Sequence, residues 1–161
     1  MHGPPLRRAV FCYYPRMDLG KRVKKVLAKT HLMSLATTDE QGVWVADVIF
    51  IYDDELNLYW MSNPEARHSR AILGDTQVAG TITISTKSKE PNLAIQFSAI
   101  AQKIEGPRHD LALKHYAKRG RPTPAETDDV LGGDSWYQLT PTRLYLIDEA
   151  NFGYERQEML A

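Results

Sequence analysis

Hydrophobic and polar positions change period several times along the chain, and each change marks an element. From Asp18 the apolar residues Leu19, Val23, Val26 and Leu27 fall on one helical stripe with lysines and arginines opposite, and Asp18 is placed to cap the helix. The period then drops to two. HLMSLATT at 31–38 alternates, the Asp39-Glu40-Gln41-Gly42 cluster reads as a turn, and VWVADVIFIY at 43–52 follows as a longer strand. A second acidic turn, Asp53-Asp54-Glu55, leads into LNLYWMS at 56–62, so three consecutive strands are joined by short loops and the sheet is predicted to be antiparallel.

Pro64 suits a first helical turn, and Ala66, Ile72 and Leu73 suit a short helix ending at Gly74. TQVAGTITIS at 76–85 and LAIQFSAIAQKIE at 93–105 read as two further strands around a polar loop. A helix is predicted over 108–119, closed by Gly120, then a loop to Asp134 and a last strand at 142–148. Six strands with short connections and two or three peripheral helices predict a mainly β fold, an antiparallel six-stranded barrel, because closure removes exposed strand edges. Tyr59 and Trp60 are adjacent on a strand and face opposite sides, which leaves one of them for an interface.

Composition narrows the setting. With 161 residues the chain fits a single domain, expected over 18–161, that buries roughly 70% of its unfolded surface. The lone Cys12 excludes an intramolecular disulfide and CxxC chemistry, so a reducing, cytoplasmic location is expected. Twenty basic against twenty acidic residues argue against a nucleic-acid partner. Up to Lys29, however, Arg7, Arg8, Arg16, Lys21, Arg22, Lys24, Lys25 and Lys29 face only Asp18. Residues 1–17 are therefore expected to form a flexible basic extension. The run at 43–52 is far shorter than the roughly 20 residues of a membrane helix, and no membrane association is expected.

Candidate chemistry concentrates in MSNPEARHSRAIL at 61–73, where a strand ends in a hydroxyl residue and a helix carries Arg67, His68 and Arg70. Free N–H groups at a helix start, the Ser62 hydroxyl and a guanidinium fork together suit a phosphate. On spacing alone, a solvated helix face explains Arg67 and Arg70 equally well. Gln96 interrupts the apolar run Leu93-Ala94-Ile95-Phe97 and offers both a donor and an acceptor to a heterocycle edge, although alternation also places it with Ser98 on a wetter face. No G-x-S-x-G setting and no H-x-x-x-H or H-E-x-x-H spacing occurs, so serine hydrolysis and zinc chemistry are not expected.

Taken together, these segments resemble the pyridoxamine 5′-phosphate oxidase-like superfamily of FMN-binding split barrels from about residue 20 to 153. SNPEARHSRAILGDTQVAGTI at 62–82 is similar to the family's phosphate segment, LAIQFSAIAQKIEG at 93–106 to the strand whose glutamine reaches the isoalloxazine edge, and SWYQLTPTRLYLID at 135–148 to its closing strand. The resemblance implies FMN as cofactor, with Ser62, Arg67 and His68 on phosphate and Gln96 and the backbone near Asp47 and Val48 on the ring. Trp136 would come from the second subunit of a homodimer with its sites at the interface. It also implies an oxidoreductase using a small substrate or a nicotinamide donor, in a subgroup of unassigned activity.

Three departures matter: Ala46 stands beside Asp47 where the oxidase grips phosphate with arginine, His68 replaces a lysine, and NFGYERQEMLA lacks the arginine-and-histidine motif for the vitamin phosphate. Pyridoxamine phosphate oxidation is therefore not expected, and His68 would make affinity respond to pH near about 6.5. The alternative is a carrier or sensor that holds haem, a deazaflavin or a flavin without turnover.

Overall fold

The computed structural model describes residues 18–160, so the extension expected at 1–17 lies outside the described residues. Helix α1 (Leu19–Leu27) opens as its sequence predicts, with the Asp18 carboxylate accepting from the Lys21 N–H at 3.1 Å, and it buries Val23, Val26 and Leu27. Strands β1 (Leu32–Asp39) and β2 (Gly42–Tyr52) form the hairpin, turning at Gly42 with φ +102°, which favours glycine. Then follow β3 (Leu58–Ser62), α2 (Arg67–Gly74), β4 (Gln77–Thr83), β5 (Leu93–Ile104), α3 (His109–Lys118), β6 (Ser135–Asp148), α4 (Glu149–Phe152) and β7 (Gln157–Leu160). Every strand pair is antiparallel.

The strands run β3-β2-β1-β4-β5-β6, and β3 pairs back onto β6 to close a six-stranded barrel, with β7 added beside β6. The antiparallel barrel is thus the fold that alternation predicts. The last barrel strand starts at Ser135, as the resemblance to the family's closing strand implies, and not at 142, as periodicity predicts. Between Ser98 and Ala99 the register shifts so that Thr142 is an extra residue on β6, next to Pro141, which has no N–H to donate. The Thr142 hydroxyl bonds the Ser98 carbonyl at 3.0 Å and holds the bulge. That interruption hides the continuity of β6 from a period-two reading, and α4 and β7 are too short to show a period at all.

Two clusters of apolar side chains result. Inside the barrel, Phe50, Trp60, Ile82, Ile95, Leu139 and Leu146 pack with α1 covering one end, and Trp60 stacks on Tyr137 at 5.3 Å. Outside the wall, Ile51, Tyr59, Leu111, Ala112, Val130 and Trp136 pack beneath α3 and the 120–134 loop. Tyr59 and Trp60 do face opposite sides, yet both are buried, because α3 covers the outer one. The expectation that one serves an interface is corrected. His115 of α3 meets Trp136 edge-on at 5.6 Å, and its burial, aided by Arg119, Arg121 and Lys118, pulls its pKa down to about 4.

Gly80 lets β1, β4 and β5 approach closely. A Cβ there would strike the Ser34 carbonyl oxygen and the Phe97 ring, and the carbonyl cannot move aside without moving β1. Gly80→Ala is expected to cost about 1–3 kcal/mol by urea denaturation, the usual range for overpacking. His115 gives a second expectation. An unfolded histidine takes its proton near about 6.5 whereas folded His115 takes it near about 4, so between those values the unfolded chain binds more protons and stability falls with acid. Denaturation midpoints compared at about pH 7 and 4.5 should drop less in His115→Gln than in the native chain.

Candidate functional site

β3 ends at Ser62, paired with Ser135 of β6, and the chain turns into α2 through Asn63, whose Oδ1 accepts from the Glu65 N–H at 2.8 Å. Pro64 lies in this turn, ahead of the helix and not in its first helical turn. Ala66 is the N-cap and supplies no side-chain acceptor, and the first turn contains no acidic residue. The Arg67, His68 and Ser69 N–H groups therefore start α2 without a side-chain cap, which leaves them suited to an anion. The His68 Nε2 lies 2.8 Å from the Ser62 Oγ. Burial lowers the His68 pKa below its ordinary 6.5, so the ring is neutral at neutral pH and serves as a hydrogen-bonding group instead of a cation. The pH response expected near 6.5 moves down accordingly.

Arg67 is not on a merely solvated face. Its Nε and Nη2 donate to the Asp39 carboxylate at 2.7 and 2.8 Å, and its guanidinium lies 4.8 Å from the centre of the Trp44 ring. The fork holds the Asp39 carboxyl well below its usual range, at about 2. Neither bond uses Nη1, so a clamped guanidinium keeps one edge for another acceptor. Arg70, one turn on, is largely exposed and 3.9 Å from Glu65. A cavity of about 580 Å³ opens between the β1–β2 turn and the flank of α2, lined by Asp39, Gln41, Arg67, Arg70 and Gly74 but not by Ser62 or His68.

Gln96 and Asp47 belong to a second group on the outer face of the barrel. Register places Asp47, Ser34, Thr81, Gln96 and Tyr145 in one row across β2, β1, β4, β5 and β6. The Ser34 hydroxyl donates to Asp47 at 2.6 Å, while Arg156 stacks on Tyr145 at 5.0 Å and donates to the Gln96 Oε1 at 3.3 Å. Val48 points the other way, into the core, so only its backbone is available. That backbone is well placed: on β2, β3 pairs with Phe50–Tyr52 alone, and among the described residues no strand lies beside the far edge of β2 from Gly42 to Ile49. Trp136 corrects the expectation of a residue donated to a second subunit. It is fully buried under α3 and its indole donates to the Pro107 carbonyl at 2.8 Å, so its ring is not presented outward.

The structure thus pairs Ser62 with His68, holds Arg67 of the same helical turn on Asp39, places Gln96 with Asp47 in one row, and buries Trp136 behind the end of β3, opposite Met61. Asp39, Trp44 and Arg156 are the participants that sequence reasoning missed. Among the described residues no group of three or more His, Cys, Asp or Glu side chains is gathered to hold a metal ion, and no helix is long and apolar enough to cross a membrane. As a donor set, the uncapped helix start, Ser62, His68 and the free edge of Arg67 fit a phosphate, and the amide and backbone groups of the outer row fit the polar edge of a ring.

No protein-family model matches the chain. A UPF0306 protein of Cronobacter sakazakii is 29% identical over 104 residues, covering 64% of this chain and 72% of that protein. Among solved structures, a Listeria innocua protein provisionally named a pyridoxamine 5′-phosphate oxidase superposes with a TM-score of 0.64 at 12% identity, covering 81% of this chain and 98% of that one. HutZ, the heme storage protein of Vibrio cholerae, gives 0.61 at 19%, covering 81% and 95%. Barrel order and these superpositions agree: the chain has the split-barrel fold of the pyridoxamine 5′-phosphate oxidase-like proteins.

Proposed function

We propose that the chain is a cytoplasmic, homodimeric flavoprotein that binds FMN noncovalently and acts as an oxidoreductase on a small substrate, with a nicotinamide as a candidate donor. The observation that carries this reading is the start of α2, where three N–H groups have no side-chain cap, Ser62 and His68 form one hydrogen-bonded pair, and Arg67 of the same turn is clamped on Asp39 with Nη1 left over. Those groups would hold the phosphate. Gln96, Arg156 and the open backbone edge near Asp47 and Val48 would orient the ring. FMN supplies the capacity to take up and return electrons or hydride, and the chain supplies binding and orientation.

The dimer rests on the outer face of the sheet. Leu32, Val43, Val45 and Ile100 are 41%, 71%, 56% and 43% exposed and share this face with the small residues Ala36 and Ala79. An exposed face with those apolar residues suits a second copy of the chain, and the polar Asp47–Gln96 row crosses it. A second reading, a haem carrier or sensor, is favoured by the similarity to the heme storage protein HutZ.

Absorption spectra decide between the two. The purified protein mixed with FMN is expected to retain flavin bands through desalting, whereas retention of haem with a Soret band and no flavin would favour the carrier. Arg67→Ala should weaken FMN binding about tenfold or more, near 1.4 kcal/mol, in a fluorescence titration. Unchanged affinity would remove Arg67 from the phosphate site. Val45→Asp places a charge on the shared face and should convert a dimer to a folded monomer by sedimentation velocity.

A further inference from the structure

Two stretches of this net-neutral chain, VKKVLAK at 23–29 and KHYAKRGR at 114–121, carry several cations and no acidic residue, and they stand far apart in the sequence. The fold brings them together. Lys118 of α3 donates to the Leu27 carbonyl in the last turn of α1 at 3.4 Å, and Ala28, Lys114 and Ala117 line one shared cavity of about 480 Å³. Because Val23, Val26 and Leu27 turn to the core, the opposite side of α1 is left to Lys21 and Lys25, with Lys29 just past its end, and all three are exposed. Arg119 and Arg121 are exposed where α3 ends. The carboxylates nearby are committed elsewhere or offset single lysines: Asp18 lies 3.6 Å from Lys21, Asp54 pairs with Lys24 at 2.8 Å, and Asp53 accepts from the Tyr59 hydroxyl and the Asn57 amide. Among the described residues, none of the ion pairs includes Lys25, Lys29, Lys114, Lys118, Arg119 or Arg121.

We propose that the α1–α3 end of the molecule is a binding surface for the phosphate backbone of a nucleic acid, held by charge and without regard to base sequence. A phosphodiester chain supplies the repeated negative charge that cations spread over two helices can follow, and the guanidinium forks of Arg119 and Arg121 match phosphate oxygens. The zero net charge does not oppose this, because exposed charges act over about 10 Å at 0.1 M salt, so the local group of cations decides. An anionic membrane fits less well, since a helix lying in the headgroups needs a free apolar face and α1 spends its own on the core. A protein partner would need an apolar centre. Among the described residues, Leu113 at 45% is the one large apolar side chain exposed on α1 or α3. The surface uses none of Ser62, Arg67, His68 and Gln96, so it does not depend on the flavin reading.

Fluorescence anisotropy of a fluorescein-labelled single-stranded RNA and of a labelled DNA duplex, each titrated with the full chain, tests the surface, and the tighter of the two identifies the kind of nucleic acid. Binding is expected at about 50 mM salt and should weaken about tenfold or more at about 200 mM, because phosphate contacts release counterions. Lys25→Glu combined with Arg119→Glu and Arg121→Glu should abolish binding, with an unchanged circular dichroism spectrum. Lys87→Glu combined with Lys89→Glu and Lys103→Glu, the same change of charge at exposed positions outside both helices, should weaken it far less. No binding to either nucleic acid at low salt, binding that salt does not weaken, or equal losses in the two triple variants would overturn the proposal. Retention on phosphatidylserine vesicles with neither nucleic acid bound would overturn it in favour of a membrane surface.

Discussion

Closure of the barrel depends on β6 serving several neighbours at different heights. Its first five residues pair with β3, its whole length pairs with β5, and Arg143–Leu146 pair with β7. A straight strand of 14 residues would carry both ends in one direction, so the bulge at Thr142 and the missing donor of Pro141 supply the bend. Because β3 is only 5 residues long, it closes the lower barrel and stops, leaving the upper edge of β2 without a strand among the described residues. The same short strand delivers Ser62 to the start of α2. One geometric requirement thus creates both the open edge and the helix start from which the candidate site is built.

The strands and helices that could be read from the sequence were those with local signals. Asp18 capping α1, the Asp39–Gly42 turn, alternation in β1 and the β-rich runs of β2 and β5 all act within a few residues. Periodicity alone started β6 at 142, because Pro141 and Thr142 break the alternation, a break that only the opposing Ser98 explains, whereas the resemblance to the family's closing strand spanned 135–148. Burial of both Tyr59 and Trp60 was likewise invisible to a period-two argument. Such a pattern identifies two faces, but it does not say that a helix 50 residues later will cover the outer one.

The site was legible in part. Ser62, Arg67 and His68 lie within one local segment, so their proximity follows from a strand running into a helix. Asp39 and Trp44 reach Arg67 across the hairpin, and Arg156 reaches Gln96 across 60 residues, which no spacing rule conveys. Trp136 was misplaced for a related reason. Its parity on β6 puts it outside the barrel, and there α3 and the Pro107 carbonyl enclose it.

The chemistry at α2 also differs from a simple cluster of positive charge. Asp39 offsets the charge of Arg67, and a buried, neutral His68 contributes none at neutral pH. An anion here would meet directed hydrogen bonds from the Ser62–His68 pair, which has one donor left after its mutual bond, from the helix start and from one guanidinium edge, with Arg70 the nearby exposed cation. The Asp39 pair and the Trp44 ring reduce the freedom of the Arg67 side chain before any ligand arrives, so less ordering remains to be done on binding. Such a site trades long-range attraction for a fixed arrangement of donors. Charge attraction between exposed groups is screened by salt, while short hydrogen bonds in a half-buried pocket are screened much less, so selectivity here rests on the shape of the anion more than on its total charge.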